Sequence, residues 1–282
     1  MRKIVVVTAV FLVGFAGVAW GQIEPPKWDI QKEIALYGNL DQDTVPNGGE
    51  VACGPVAVVN CFVYLENKYP GVYDRKLIPD DNVSNGLHDQ AELISVAQIL
   101  MGAAYMNTQP PGGTYHDDLI WGKNKYMEER VPGVTKYQAQ DQWAWNNPVR
   151  PKPAWVVGMT PTWQFLFTEL ADCEDVEILI SWSDGGHYVT LSSLHWTDLD
   201  MDGVIDMNEA ATIDFIDPGT GAVNNASIWQ SYLGGAIETG YFGTTASWIS
   251  MAVSESPIPE PATMTLLALG LGAAALLKRR MK

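Results

Sequence analysis

The chain has 282 residues, with 33 acidic against 17 basic side chains and a formal net charge of −16 at pH 7. This balance excludes nucleic-acid binding, which depends on neutralising phosphates with Lys and Arg. Six of the basic residues stand at the two ends (Arg2, Lys3, Lys278, Arg279, Arg280 and Lys282), so residues 22–255, enough for one large or two small domains, are more acidic still.

The N-terminus opens with Met1-Arg2-Lys3, runs through an apolar core and offers Ala19 and Gly21 as small residues ahead of Gln22. This is the layout of a signal peptide over residues 1–21, removed by signal peptidase. Residues 53–68 predict a helix that begins at Cys53-Gly54-Pro55 and continues as VAVVNCFVYL. It is apolar nearly all round, which places it at the centre of a fold. Residues 89–106 and 117–129 carry helical spacing, and Asp117 and Asp118 suit a first turn. Residues 131–153, rich in Pro, Gln, Trp and Asn, read as a long surface loop or substrate-facing flap that ends in a short strand over 154–157. Trp143, Trp145, Trp155 and Trp163 fall around it and offer ring faces to an extended peptide or an extracellular polysaccharide. A helix over 161–171 starts with Pro161. Strands follow over 176–182, 187–196, 211–216, 222–228 and 248–253. Helices first and an antiparallel sheet second make an α+β arrangement.

Between two of these strands, residues 198–209 read DLDMDGVIDMNE. The pattern matches the twelve-residue EF-hand type of calcium loop. Asp198, Asp200 and Asp202 offer single oxygens, Gly203 permits the sharp turn, and Val204 supplies a backbone carbonyl. Asp206 acts directly or through water, and Glu209 offers both its oxygens. Five carboxylates this close repel one another without a cation. A strand enters the loop instead of a helix, as in single calcium loops of extracellular modules.

Cys53, His187 and Asp217 have the chemistry of a nucleophile, a base and an orienting acid. A thiol at a helix N-terminus lies where backbone N–H groups and the helix dipole favour the thiolate. An imidazole held by a carboxylate supplies the neighbouring cation. Gly185 and Gly186 leave the approach to His187 uncrowded, and Asp217, directly before Pro218, is held extended. Asp214, within the strand, is a second candidate acid.

Ala52-Cys53-Gly54-Pro55, Gly185-Gly186-His187-Tyr188-Val189 and Asp217-Pro218-Gly219 together resemble the bacteriocin-processing, double-glycine-leader type of papain-like cysteine peptidase. The resemblance implies one domain over 22–255, with the cysteine helix packed on an antiparallel sheet. It implies a peptide or protein substrate and roles for Cys53, His187 and Asp217 as nucleophile, base and orienting residue. Such peptidases carry a glutamine several residues before the cysteine to bind the oxyanion. Here Gln42 lies eleven residues upstream and Asn47 six, so Asn47 takes that position. The alternative is an inactive module of the same fold that binds polysaccharide or envelope material.

Three cysteines stand in a chain bound for a compartment that permits disulfides. Either Cys61 pairs with Cys173 and leaves Cys53 free, or both are small buried residues. At the C-terminus, Pro259-Glu260-Pro261, an apolar run from Thr263 to Leu277 and a basic end resemble the PEP-CTERM sorting signal of Gram-negative bacteria. The resemblance implies that residues 256–282 hold the chain at the membrane until an exosortase processes it. The apolar run, about 15 residues, is short of the roughly 20 that span a bilayer comfortably.

Overall fold

The computed structural model describes residues 24–79, 88–145, 147–172, 174–241 and 247–258. The expected signal peptide, Cys173 and the tail from residue 259 onward lie outside them.

Helix α1 (Cys53–Lys68) is buried from Gly54 through Glu66. Its uncapped start at Cys53 follows directly on a one-turn 3-10 helix, Gly49–Val51. Pro55 falls in the first turn, where a missing N–H costs nothing. Two contacts pin the helix. Thr190 Oγ1 donates to the carbonyl of Ala57 (2.9 Å). Gly38 lies so close that an added Cβ would come within 2.9 Å of the Asn60 Cα, and the Asn60 side chain accepts the N–H of Leu40 (2.9 Å). Helix α2 (Gln90–Met101) starts with a capping box made by Asp89 and Glu92 and stops at Gly102, whose backbone is extended. The helical spacing expected to run to residue 106 therefore ends sooner. Helix α3 (His116–Arg130) carries Asp117 and Asp118 in its first turn.

The strands are β1 (Lys27–Gln31), β2 (Thr135–Asp141), β3 (Val156–Val157), β4 (Asp175–Trp182), β5 (Gly185–Thr197), β6 (Thr212–Asp217), β7 (Ala222–Gln230), β8 (Ile237–Thr239) and β9 (Ser247–Pro257). Helix α4 (Trp163–Ala171) precedes β4, capped by the Thr162 hydroxyl. Because β4 pairs with both β5 and β9, strands β4 through β9 close into a ring. The closure is short at β8, which meets β9 through Glu238↔Trp248 and Thr239↔Ser247. A ring removes the open edges that a sheet otherwise presents.

Side chains alternate across the ring wall. Val176, Ile178 and Ile180 of β4 join Val189, Leu191, Phe215 and Ile249 in one core, together with Trp163, Leu166 and Leu170 of α4. Leu179, Tyr188, Ile216, Met251 and Val253 face the other way and meet α1, α2 and α3. The central strands are apolar on both faces for that reason.

Three expectations are corrected. The stretch 131–153 is not wholly a loop, since β2 occupies Thr135–Asp141 and pairs with β9. The first half is not wholly helical, since β1 pairs with β5. The sheet is not wholly antiparallel, since β2 and β3 run parallel.

Candidate active site

The start of α1, the β4–β5 hairpin and the end of β6 converge on a cleft of about 1030 Å³. Cys53, His187 and Asp217 all line it. The Nε2 of His187 meets Asp217 Oδ1 at 2.8 Å. Cys53 shares a hydrogen bond with His187, which leaves the other ring nitrogen, Nδ1, for the sulfur. Tyr241 stacks on the imidazole, with ring centroids 5.7 Å apart and planes 8° off parallel.

Asp217 is fully hydrogen-bonded. Its Oδ1 accepts from His187 and from the Gly219 N–H (2.8 Å). Its Oδ2 accepts from Asn224 Nδ2 (3.0 Å) and the Tyr241 hydroxyl (2.9 Å). Burial alone would push this carboxyl up, but the hydrogen bond and charge of His187, with help from Gly219 and Tyr241, hold it down at about 2. Burial pushes the His187 imidazole down, and its bonds to Asp217 and Cys53 outweigh that and raise it to about 9. Burial also pushes the Cys53 thiol up. The hydrogen bond and charge of His187, with the backbone at Tyr188 and Gly54, overcome it and leave the thiol below its ordinary value. All three shifts favour a thiolate–imidazolium pair steadied by a carboxylate.

Asp214 is not part of this group. It accepts the Ser193 hydroxyl (2.6 Å) and lies 3.5 Å from His195 Nε2.

The oxyanion position differs from expectation. Asn47 is exposed in a turn with left-handed backbone (φ 64°) and does not line the cleft, whereas Gln42 does. The 3-10 turns Gln42–Thr44 and Gly49–Val51 fold back on one another so tightly that a Cβ on Gly49 would come within 2.2 Å of the Gln42 carbonyl oxygen. The Gln42 N–H also donates to the Pro218 carbonyl (2.8 Å), next to the acid. Eleven residues of sequence therefore collapse to a short distance in space. The Gln42 Oε1 is buried without a hydrogen-bond partner. Among the four tryptophans of the expected aromatic groove, only Trp143 lines this cleft. Trp163 is buried in the ring core, Trp155 stacks on Tyr137 at 5.3 Å, and the Trp145 indole donates to the Arg150 carbonyl (2.5 Å).

The loop 198–209 connects β5 and β6, the two strands that carry His187 and Asp217. It brings oxygens of Asp198, Asp200 and Asp202 within 4.8 Å of one another. Gly203 takes the left-handed backbone expected of it (φ +78°). Asp198 is buried, and its Oδ1 has no hydrogen-bond partner. Glu209 and Asp206 stand apart from that group. Glu209 accepts from the Leu199 N–H (2.6 Å), the Trp196 indole (2.6 Å) and the Asp206 N–H (3.1 Å), so its carboxylate already ties the two ends of the loop. Cys61 is a free, buried thiol.

Comparison with curated proteins finds no match. Among the described residues no helix is long and apolar enough to cross a membrane, and the expected apolar tail lies outside them. Residues 257–280 match the PEP-CTERM protein-sorting motif, so the chain carries an exosortase sorting signal and is exported to the cell envelope or beyond.

Proposed function

We infer that this exported protein is a cysteine peptidase with a papain-like fold. The observation that carries the reading is the convergence of Cys53, His187 and Asp217 in one cleft, with His187 bonded to both of the others. In the proposed cycle His187 Nδ1 takes the thiol proton, and the sulfur attacks the carbonyl carbon of a peptide bond. The developing oxyanion accepts hydrogen bonds from the Gln42 side-chain amide and the free N–H groups at the start of α1. His187 then gives its proton to the leaving amine as the C–N bond breaks. A water, deprotonated by His187, hydrolyses the thioester and regenerates the thiol. Asp217 keeps Nε2 protonated and the ring aligned throughout.

The loop 198–209 supports calcium as the cofactor of this reading. Asp198, Asp200 and Asp202 form the acidic end of the site, with the Val204 carbonyl, Asp206 and Glu209 as its remaining ligands. The buried, unpartnered Asp198 oxygen fits a ligand atom. Calcium neutralises the loop and braces the connection between the strands that hold the base and the acid.

Two measurements test the enzyme. Iodoacetamide should alkylate Cys53 far faster than Cys61, and Cys53→Ala should abolish hydrolysis of peptides by the purified protein. Hydrolysis that survives Cys53→Ala would overturn the assignment. No hydrolysis by the native protein, with retention on extracellular polymer, would favour the binding module instead.

A further inference from the structure

We propose that the cleft is built for a cationic substrate, a peptide segment carrying Lys or Arg side chains on both sides of the reacting bond. This rests on Cys53 and His187 being the reacting pair. Among the described residues no Lys or Arg lines the cleft, whereas Glu50, Asp184 and Asp217 do. The two imidazoles in it, His187 and His116, each have a carboxylate of their own: Asp217 at 2.8 Å and Asp141 at 2.7 Å. Any positive charge that arises on them is therefore matched locally. Glu50 and Asp184 remain, both exposed, and among the described residues neither pairs with a cationic side chain.

Their placement follows from the fold. Glu50 stands three residues before Cys53, in the turn that leads into α1, and Asp184 three residues before His187, in the β4–β5 hairpin. One carboxylate thus comes from the segment that leads to each member of the reacting pair, and both line the cleft. Asp184 also has an aromatic neighbour. A Cβ on Gly185 would come within about 3.1 Å of the Trp182 ring, so this ring packs against the backbone next to Asp184, and Trp182 lines the cleft as well. A carboxylate in a cleft that an indole also lines suits a guanidinium or ammonium group, which pairs with the one and packs on the other. The low-dielectric walls of a cleft focus such a field, and the acidic surface of the whole protein draws cations toward it.

Charged thiol reagents read this field without requiring turnover. The exported protein should be treated with a cationic (trimethylammonium-ethyl) and an anionic (sulfonatoethyl) methanethiosulfonate. Both Cys53 rates are then divided by those for a small free thiol. The expected normalised preference for the cation is roughly tenfold at low salt. It should shrink as ionic strength shortens the Debye length, and it should collapse in the double variant Glu50→Gln, Asp184→Asn. A ratio near one, a preference for the anion, or refusal of both reagents by Cys53 overturns the proposal. Anisotropy of labelled peptides on Cys53→Ala supplies a second reading, with an arginine-bearing peptide expected to bind more tightly than its glutamate-bearing counterpart. Equal binding of the two also overturns it. If cation preference holds in both measurements while no peptide is cleaved, the cleft stands as proposed and the peptidase reading alone fails.

Discussion

His187 and Asp217 each owe their shifted titration to the other, and that exchange has a pH signature. The imidazole is raised to about 9, so its contribution to stability is complete below its unfolded value near 6.5 and is lost as pH rises through about 9. The carboxyl is lowered to about 2, so its contribution is present above an unfolded value near 3.8 and is lost as pH falls through about 2. Thermal melts of the native protein and Asp217→Asn across pH should therefore differ most between about 4 and 6.5, differ less as pH rises through about 9, and converge as pH falls below about 2. The same substitution should lower peptide turnover roughly a hundredfold, the lower end of what acid–base positioning contributes. Gln42→Ala should lower kcat by roughly 10²-fold with little change in KM, because an oxyanion donor acts on the transition state. Asn47→Ala should leave kcat near the native value, and steady-state kinetics on one peptide compares both variants. Cys53, His187 and Asp217, which the structure brings into one cleft, could be picked out in the sequence because each sits in a short motif of its own. Gln42 was hidden because two tight turns shorten its path to the cleft, and a count of residues measures only the chain. Tyr241 and Asn224, which complete the Asp217 shell, come from separate strands and loops with no local signature.

At the scale of elements, one buried cation joins α3 to the sheet. Lys123 on α3 is fully buried and bonds Glu177 (2.5 and 2.6 Å), Asp175 (3.3 Å) and Glu255, from β4 and β9. Burial pushes these carboxyls up while the ammonium beside them pulls them down, and burial prevails. Replacing Lys123 by Met would leave three carboxyl groups in the core without their cation, and should cost about 3–5 kcal/mol in denaturant unfolding. Helix α1 was legible because a long, all-apolar run after Gly-Pro has few other places to go. Strand β2 was not. Its inward residues are Thr135, Tyr137, Ala139 and Asp141, and with polar groups at both ends the alternation that marks a strand is lost. Only pairing with β9 supplies the reason for it to be extended. Strand β8, three residues long, is likewise fixed by its neighbours rather than by its own side chains.

For the whole molecule, the proposed calcium site and the net charge would act together. With 33 acidic against 17 basic residues, the chain repels itself, and a divalent ion bound in the 198–209 loop would relieve part of that. Chelation should lower the melting temperature, and Glu209→Gln should remove the response. Calcium should also change Trp196 fluorescence, since the indole donates to Glu209 (2.6 Å). An unchanged melting temperature and an unchanged spectrum on adding calcium to chelated protein would each count against the site.

Strand β9 is the last element of the ring, and it runs to Pro257, where the sorting motif begins. It pairs with β2, β4 and β8, and its Glu255 reaches the buried Lys123. The ring therefore cannot close until nearly the whole domain is available to fold, whatever fraction of it has already been made. Little slack separates the folded body from the residues that the sorting machinery handles. A cut upstream of Glu255 would strip the cation of a partner and the ring of its closing strand, so the fold itself limits how close to the domain the tail can be trimmed.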